Sequence, residues 1–233
     1  MKKLFAAFIM LGIVLSADAQ VSKFLESGKS GVGLKAMNTI GNDFTGGGAA
    51  LMATFKGKLD LDLGYYHSIY DGESASLITS EATGNDITAD LTWWALRKQI
   101  SPMVDAGFGV MAGFSTSSFK DYKYIHYTDG NTVEYNSWVQ GSLGIDSYIR
   151  IKLADTWYMQ PSIGIRYELG KDKETEVGVE TKTGYLGITS ILGLSLAKRF
   201  ENGGAIFLTT EQYFDSYDEE VYYAVGLGYA FTF

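Results

Sequence analysis

Residues 221–233 read V-Y-Y-A-V-G-L-G-Y-A-F-T-F and alternate between two kinds of side chain. One set is large and apolar or aromatic: Val221, Tyr223, Val225, Leu227, Tyr229, Phe231 and Phe233. The side chains between them are mostly small. Because successive side chains of a strand point to opposite faces of a sheet, this stretch predicts a β-strand with one continuous apolar face.

The same alternation recurs along the chain and predicts ten strands in all. They cover residues 30–40, 47–56, 59–70, 86–97, 104–116, 132–152, 157–169, 183–198, 205–214 and 221–233. The connections at 57–58, 98–102, 153–156 and 201–204 are short, whereas those at 41–46, 71–85, 117–131, 170–182 and 215–220 are mostly longer and more polar. Short turns at one end and long loops at the other are typical of an up-and-down transmembrane β-barrel. We therefore predict an all-β, antiparallel, up-and-down transmembrane barrel of about ten strands, with eight as the fallback.

The first nineteen residues have the pattern of a cleaved signal peptide. Lys2 and Lys3 precede an apolar run, and Ala17 and Ala19 fit the small-x-small cleavage rule. The apolar run is too short for a transmembrane helix, which needs about 20 apolar residues. We expect an exported protein that is cleaved near Ala19, with residues 20–233 forming one barrel domain.

Composition excludes several classes of partner. Without residues 1–19 the chain keeps 17 basic and 26 acidic residues, a net charge of −9. An acidic chain with no basic run is a poor nucleic-acid binder, because neutralising phosphates requires clustered Lys and Arg. With no cysteine the chain has neither disulfides nor zinc-thiolate sites. No phosphate-binding glycine loop is present, so we expect no cofactor and no resident metal.

Charge decides which face of the strands meets lipid. The small-residue face also carries charges of both signs, and burying unpaired ions in a dry soluble core costs several kcal/mol each. We therefore place this face in the lumen as a charge network and the apolar face against lipid. The network is predicted to comprise Lys35, Lys56, Asp60, Asp62, Asp90, Asp105, Asp146, Arg150, Lys152, Arg166, Glu168 and Glu211.

Aromatic residues are predicted to form two interfacial girdles. Trp157, Phe231 and Phe233 fall near the short turns, and Tyr65, Phe114, Tyr167, Tyr185 and Tyr223 fall near the long loops. Pro161 lies inside a strand on the lipid side, so we expect a β-bulge or a late strand start there.

With these features the chain resembles the small bacterial outer-membrane β-barrels of the OmpA/OmpX-like kind, over residues 30–233. Gln20 after Ala19 is similar to signal junctions of the Bacteroidetes. The resemblance implies an outer-membrane location, surrounding lipid, and recognition of the terminal strand by the barrel assembly machinery. Tyr229, Phe231 and Phe233 would carry that assembly signal.

A lumen that side chains can fill favours a structural, adhesive or narrow small-solute channel role over an open pore. The tyrosine-rich segment 117–131 is predicted to be an external contact surface. Two alternatives stay open. One is a barrel enzyme acting at the outer rim, for which His126 with Asp121 or Glu134 would be the site, although the spacing matches no catalytic motif and we expect no enzyme. The other is a soluble lipocalin-like binder with an apolar interior.

Overall fold

The computed structural model describes residues 28–72, 77–125, 130–215 and 221–233. The predicted signal segment lies outside these ranges and stays a prediction. No helix in these ranges is long and apolar enough to cross a membrane. The strands are β1 (Gly31–Ile40), β2 (Phe44–Phe55), β3 (Leu59–Asp71), β4 (Glu81–Ser101), β5 (Val104–Lys120), β6 (Lys123–Ile125), β7 (Thr132–Lys152), β8 (Trp157–Glu176), β9 (Val179–Arg199), β10 (Gly204–Asp215) and β11 (Val221–Thr232).

Ten of the described strands close into an antiparallel barrel. Each pairs with its neighbour along the chain, β5 pairs with β7, and β11 returns to pair with β1. The prediction of a ten-stranded up-and-down barrel is confirmed. β6 was not predicted; it adds three residues to β7 outside the barrel wall.

The two ends of the barrel differ in a way that the sequence indicated only in part. The short turns 56–58, 102–103, 153–156 and 200–203 lie at one end, here called the short-turn end, together with Gly31 and Thr232. At the opposite end, the loop end, the predicted loop 170–182 is wrong, because β8 and β9 continue to a tight turn at Val177 and Gly178. The predicted loop 71–85 is shorter than expected, because β3 ends at Asp71 and β4 begins at Glu81.

The apolar side chains face outward on every barrel strand. On β11, for example, Val225, Leu227 and Tyr229 are exposed, whereas their neighbours Ala224 and Ala230 are buried. Such a continuous exposed apolar surface is far larger than soluble proteins carry, and it matches a hydrocarbon-facing band. The predicted girdle residues are exposed on this outer surface, with one exception. Tyr185 points into the barrel, where its hydroxyl donates to Gln140 Oε1.

Glycines on the inner face provide room for aromatic rings on the next strand. Each of these rings lies directly opposite a glycine, so that a Cβ on the glycine would overlap the ring or come within about 3 Å of it. The pairs are Phe207–Gly228, Tyr66–Gly48, Trp94–Gly109, Tyr148–Gly107 and Tyr185–Gly170. Packing large rings inside a small barrel therefore accounts for part of the high glycine content.

The expectation of a bulge or late strand start at Pro161 is wrong. β8 starts at Trp157, and Pro161 pairs with Leu194 of β9. On the other side the register to β7 is the same before and after the proline, from Ile151–Met159 to Tyr148–Ser162, but pairing is interrupted between them. Proline lacks an N–H to donate, so the ladder opens locally without changing register.

We predict that Gly228→Ala lowers the free energy of unfolding by about 1–3 kcal/mol, because the new methyl group overlaps the buried Phe207 ring. The matched control is Gly141→Ala, whose added Cβ would meet nothing closer than the Gly113 carbonyl oxygen at 4.0 Å. Urea unfolding of the detergent-folded barrel measures both. Equal stability of the two variants would contradict the packing role of Gly228.

Candidate functional site

The barrel interior contains most of the predicted charged residues. Nine of the twelve are 0–7% exposed. They are Lys35, Asp60, Asp62, Asp90, Asp146, Arg150, Arg166, Glu168 and Glu211. Other protein atoms cover these inward-pointing side chains, and of the nine only Arg150 borders a described cavity, at the short-turn end.

The other three predicted lumen residues lie at the short-turn end. Lys56 occupies the β2–β3 turn with φ 52° and is exposed, so it is not part of the interior. Lys152 is half-buried and its Nζ is 3.4 Å from Asp155 Oδ1. Asp105 forms an ion pair with Arg150 across β5 and β7. The strand pattern gave the parity of these positions but not the point at which each strand bends into its turn.

The buried interior has an excess of acid. Among the described residues, eight acids and three bases are buried, and Asp86 and Asp172 are buried acids missing from the predicted network. Asp62 and Asp90 lie directly opposite each other on β3 and β4. An interior with this charge disfavours anions.

One buried carboxylate is held by an indole donor. Trp94 Nε1 donates to Asp60 Oδ2 at 2.7 Å, and both side chains are buried. A buried hydrogen bond to a charged group contributes about 1.5–3 kcal/mol. The contact joins β3 to β4 inside the barrel, where Trp94 also packs edge-on against Tyr148 at 5.2 Å between ring centroids.

We predict that Trp94→Phe destabilises the barrel by about 1.5–3 kcal/mol, because it keeps a ring but removes the donor to Asp60. Its neighbour Trp93 faces outward, so Trp93→Phe is the control, with an expected change within about 0.5 kcal/mol. Chemical unfolding followed by far-UV circular dichroism gives both values. Comparable effects of the two substitutions would argue against a structural role for this hydrogen bond.

Aromatic side chains close the interior at the loop end. Ring centroids of neighbouring members are 4.7–6.3 Å apart, in the range that aromatic pairs favour. This aromatic plug consists of Phe44, Tyr70, Phe119, Tyr122, Tyr135, Tyr213 and Tyr222. Phe119 is half-buried and the other six members are at most 5% exposed, so the plug seals the interior from this end.

The predicted contact segment 117–131 takes a different form from the one expected. Residues 117–120 extend β5, and the described tyrosines turn inward. Tyr122 belongs to the plug, and Tyr124 donates its hydroxyl to Glu174 Oε1 at 2.9 Å. Residues 126–129, including His126, lie outside the described residues. The described part of the segment thus fastens β6 to the barrel instead of displaying its aromatic rings.

A wall of three strands projects beyond the apolar band at the loop end. We call it the ridge and define it as residues 132–138 of β7, 170–176 of β8 and 179–185 of β9. At about 3.3 Å per residue, its strands continue for about 20 Å beyond the last lipid-facing side chains. Lys173 Nζ lies 2.7 Å from Glu180 Oε2 across its hairpin.

Asp172 anchors the ridge to the plug. Tyr135 Oη donates to Asp172 Oδ1 at 3.1 Å. Burial raises the pKa of Asp172 from 3.8 to about 7; the Tyr135 hydrogen bond opposes the rise and the charge of Glu174 adds to it. The folded chain therefore holds a proton that the unfolded chain releases near pH 4, so this contribution to stability is full below pH 4 and is lost as pH rises to about 7.

We predict that stability of the native barrel declines between pH 4.5 and 7.5, and that Asp172→Asn makes this decline smaller. The asparagine amide is neutral at both pH values. Unlike the buried Asp172 carboxyl, it therefore does not become charged, and does not destabilise the fold, as the pH rises. Urea midpoints at the two pH values measure the effect. The control is Glu81→Gln, an exposed acid on β4, which is expected to keep the native decline. An unchanged decline in Asp172→Asn would contradict the assignment.

His67 lies on the outer surface of the barrel near the loop end. It is exposed on β3, and its Nδ1 lies 3.0 Å from Asn85 Oδ1, which also accepts from the Tyr65 hydroxyl at 2.8 Å. These contacts fit an interfacial position at the edge of the apolar band. Within the described ranges, no group of three or more His, Cys, Asp or Glu side chains is placed to hold a metal ion.

No protein-family model matches the chain, and no curated protein matches it in sequence. Among solved structures, the translocator domain of the autotransporter NalP from Neisseria meningitidis is similar over 100% of this chain and 98% of that chain, with a TM-score of 0.56 and 13% identity. The fold is that of an outer-membrane β-barrel. The outer membrane protease OmpT from Escherichia coli, at 9% identity, matches over 88% and 94% with a TM-score of 0.44. The attachment invasion locus protein Ail of Yersinia pestis, also at 9% identity, matches over 89% and 100% with a TM-score of 0.38.

The similarity to NalP shows the fold alone at this level of identity. Together with the outward apolar surface it supports an integral outer-membrane barrel. A fold by itself assigns no activity.

Proposed function

We propose that the protein is an outer-membrane barrel with a plugged lumen and a structural or adhesive role, and that the ridge makes its external contacts. The observation that carries this proposal is the burial of the inward side chains from the short-turn half to the plug. Met52, Asp60, Tyr66 and Tyr213 are all at most 1% exposed. A solute can pass only through a continuous channel at least as wide as a water molecule. These buried side chains occupy the cross-section of the barrel where such a channel would lie.

The ridge supports an external role because strands that cross only the membrane need about 9–11 residues each. β7, β8 and β9 have 20 or 21 residues. Their extra length forms a polar surface of hydrogen-bonded strands in place of irregular loops. A rigid platform lowers the entropy cost of binding a partner. By the usual orientation of outer-membrane barrels, with short turns in the periplasm, the ridge faces the exterior.

The assembly signal remains part of the proposal. Tyr229 and Phe231 point outward from β11, and Phe233 follows the strand with 74% of its surface exposed at the short-turn end. The position suits recognition of a terminal strand from the periplasm. Export with cleavage near Ala19 is likewise proposed on the sequence pattern.

The structure favours neither alternative. A soluble lipocalin-like binder needs an apolar interior, whereas this interior holds the charged residues and the apolar side chains face outward. The site of the rim-enzyme alternative includes His126, which lies outside the described residues, so the proposal rests on the filled interior and the ridge rather than on the contacts of a histidine.

The proposal is tested with the native barrel and a truncated ridge. In the truncation an Asn-Gly turn replaces residues 174–181 and joins Lys173 to Lys182, which face each other across the hairpin. We expect no single-channel steps in planar bilayers for either protein. We also expect bacteria displaying the native barrel to attach to at least one of collagen-, fibronectin- or mucin-coated wells, and the truncation to lose this attachment.

The control is Lys58→Gln, which changes an exposed charge in the β2–β3 turn, at the opposite end of the barrel. It is expected to attach like the native protein. Reproducible conductance steps would overturn the plugged lumen. Equal attachment of native and truncated barrels, or attachment of neither to any coating, would overturn the adhesive role.

A further inference from the structure

A groove lies in the outer wall of the barrel between β7 and β8. Its volume is about 250 Å³, and residues 147–149 and 161–163 line it. Ile149 and Ile163 point outward and are 49% and 50% exposed, so the groove opens onto the apolar band rather than onto water. Its volume equals that of about eight water molecules at about 30 Å³ each, and a methylene group is of similar size. The groove can therefore hold a stretch of one acyl chain.

Two residues produce the groove. At Pro161 the pairing of β7 with β8 is interrupted, while Pro161 still pairs with Leu194 of β9. Ser147 is a small side chain on the outward face, opposite Phe108 of β5 and Ile163 of β8, which are both larger and exposed. A break in the ladder beside a small residue leaves space that the neighbouring side chains do not fill.

The break also leaves a backbone acceptor without the donor that the ladder normally supplies. Leu153 N–H donates to the Trp157 carbonyl at 2.9 Å where β7 turns into β8. Hydrogen-bonded and non-hydrogen-bonded pairs alternate along an antiparallel ladder. In the register of these two strands, Ile149 and Pro161 are therefore a pair that would exchange hydrogen bonds. Because proline has no N–H, the Ile149 carbonyl faces the groove with no donor from β8.

This carbonyl lies within the hydrocarbon rather than among the headgroups. Pro161 follows Trp157, an outward residue of the short-turn girdle, by four positions. At about 3.3 Å per residue and a strand tilt of about 35–45°, it lies about 10 Å deeper in the apolar band. At that depth no water is at hand to satisfy a backbone carbonyl, so leaving it unpaired is costly. A ligand that carries a hydrogen-bond donor on an apolar chain would remove this cost.

We propose that the groove binds the acyl chain of a membrane lipid that carries a hydroxyl group in the middle of the chain. The chain packs against Ile149, Pro161 and Ile163, and its hydroxyl donates to the Ile149 carbonyl oxygen. Ser147 does not supply this bond, because its hydroxyl donates to the Ile163 carbonyl at 3.3 Å. The depth of the Ile149 carbonyl requires a donor well below the headgroup. The site belongs to the membrane-spanning wall and is independent of the ridge and its adhesive role.

The test is a competition between two single-chain lipids added in equal amounts to the detergent-folded barrel. One is lysophosphatidylcholine with a stearoyl chain, and the other has the same chain with a mid-chain hydroxyl. Native mass spectrometry measures which lipid stays bound. We expect the hydroxylated lipid to be preferred about two- to tenfold, the range that one hydrogen bond gives. Equal retention of the two lipids, or retention of neither, would overturn the proposal.

Two substitutions address the two parts of the site. Pro161→Val restores an N–H to the ladder and should abolish the preference for the hydroxylated lipid. Ser147→Leu fills the groove and should remove the retention of both lipids. The control is Leu227→Val, a lipid-facing substitution on β11, which should keep the native preference.

Heat-modifiable mobility on a gel establishes that each variant is folded. Should Pro161→Val not fold, Ser147→Leu tests the groove without changing the backbone. An unchanged preference in Pro161→Val, or unchanged retention in Ser147→Leu, would contradict the assignment of the groove as a lipid site.

Discussion

Everything in this structure depends on the pairing of β1 with β11. Ten consecutive residue pairs, from Gly31–Thr232 to Ile40–Tyr223, join the two ends of the sheet. In hydrocarbon an unpaired backbone N–H or C=O costs several kcal/mol, so a sheet that meets lipid must have no free edge. Closure then fixes the two faces of every strand, one toward lipid and one toward the interior. Residues 221–233 alternate strictly between large apolar and small side chains because their two faces meet these two different environments.

Closure of only ten strands also limits what the interior can do. The inward side chains meet and fill the barrel, with an acid-rich layer in the middle, the aromatic plug at one end and an arginine-lined mouth at the other. Glycines opposite Phe207, Tyr66 and Tyr148 give the rings the room they need. With its middle filled, the molecule has its accessible polar surfaces at the two ends of the barrel.

The sequence predicted the wall of the barrel much better than its ends. β3 spans Leu59–Asp71, within one residue of the prediction, because lipid on one side and protein on the other impose a clear alternation. Beyond the apolar band the outer face of a strand meets water and is polar, so the hydropathy alternation weakens and the paired hairpin of β8 and β9 was mistaken for a loop. Tyr185 was counted with the outer girdle for its position near the loop end, although alternation with the exposed Leu186 and Ile188 already turns it inward, where its ring lies over Gly170. The bulge between Trp94 and Leu96 was missed, although a strictly alternating strand would put Leu96 inside the barrel and Arg97 on the lipid-facing surface.

The most direct test of this account is membrane fractionation of the native protein combined with gel mobility before and after boiling. A closed barrel resists unfolding by detergent at room temperature, because its backbone is fully paired. We expect the protein in the outer-membrane fraction and a clear shift in mobility on boiling. A protein that is recovered without detergent and shows no shift would contradict the barrel, its lipid-facing surface and the plugged interior together.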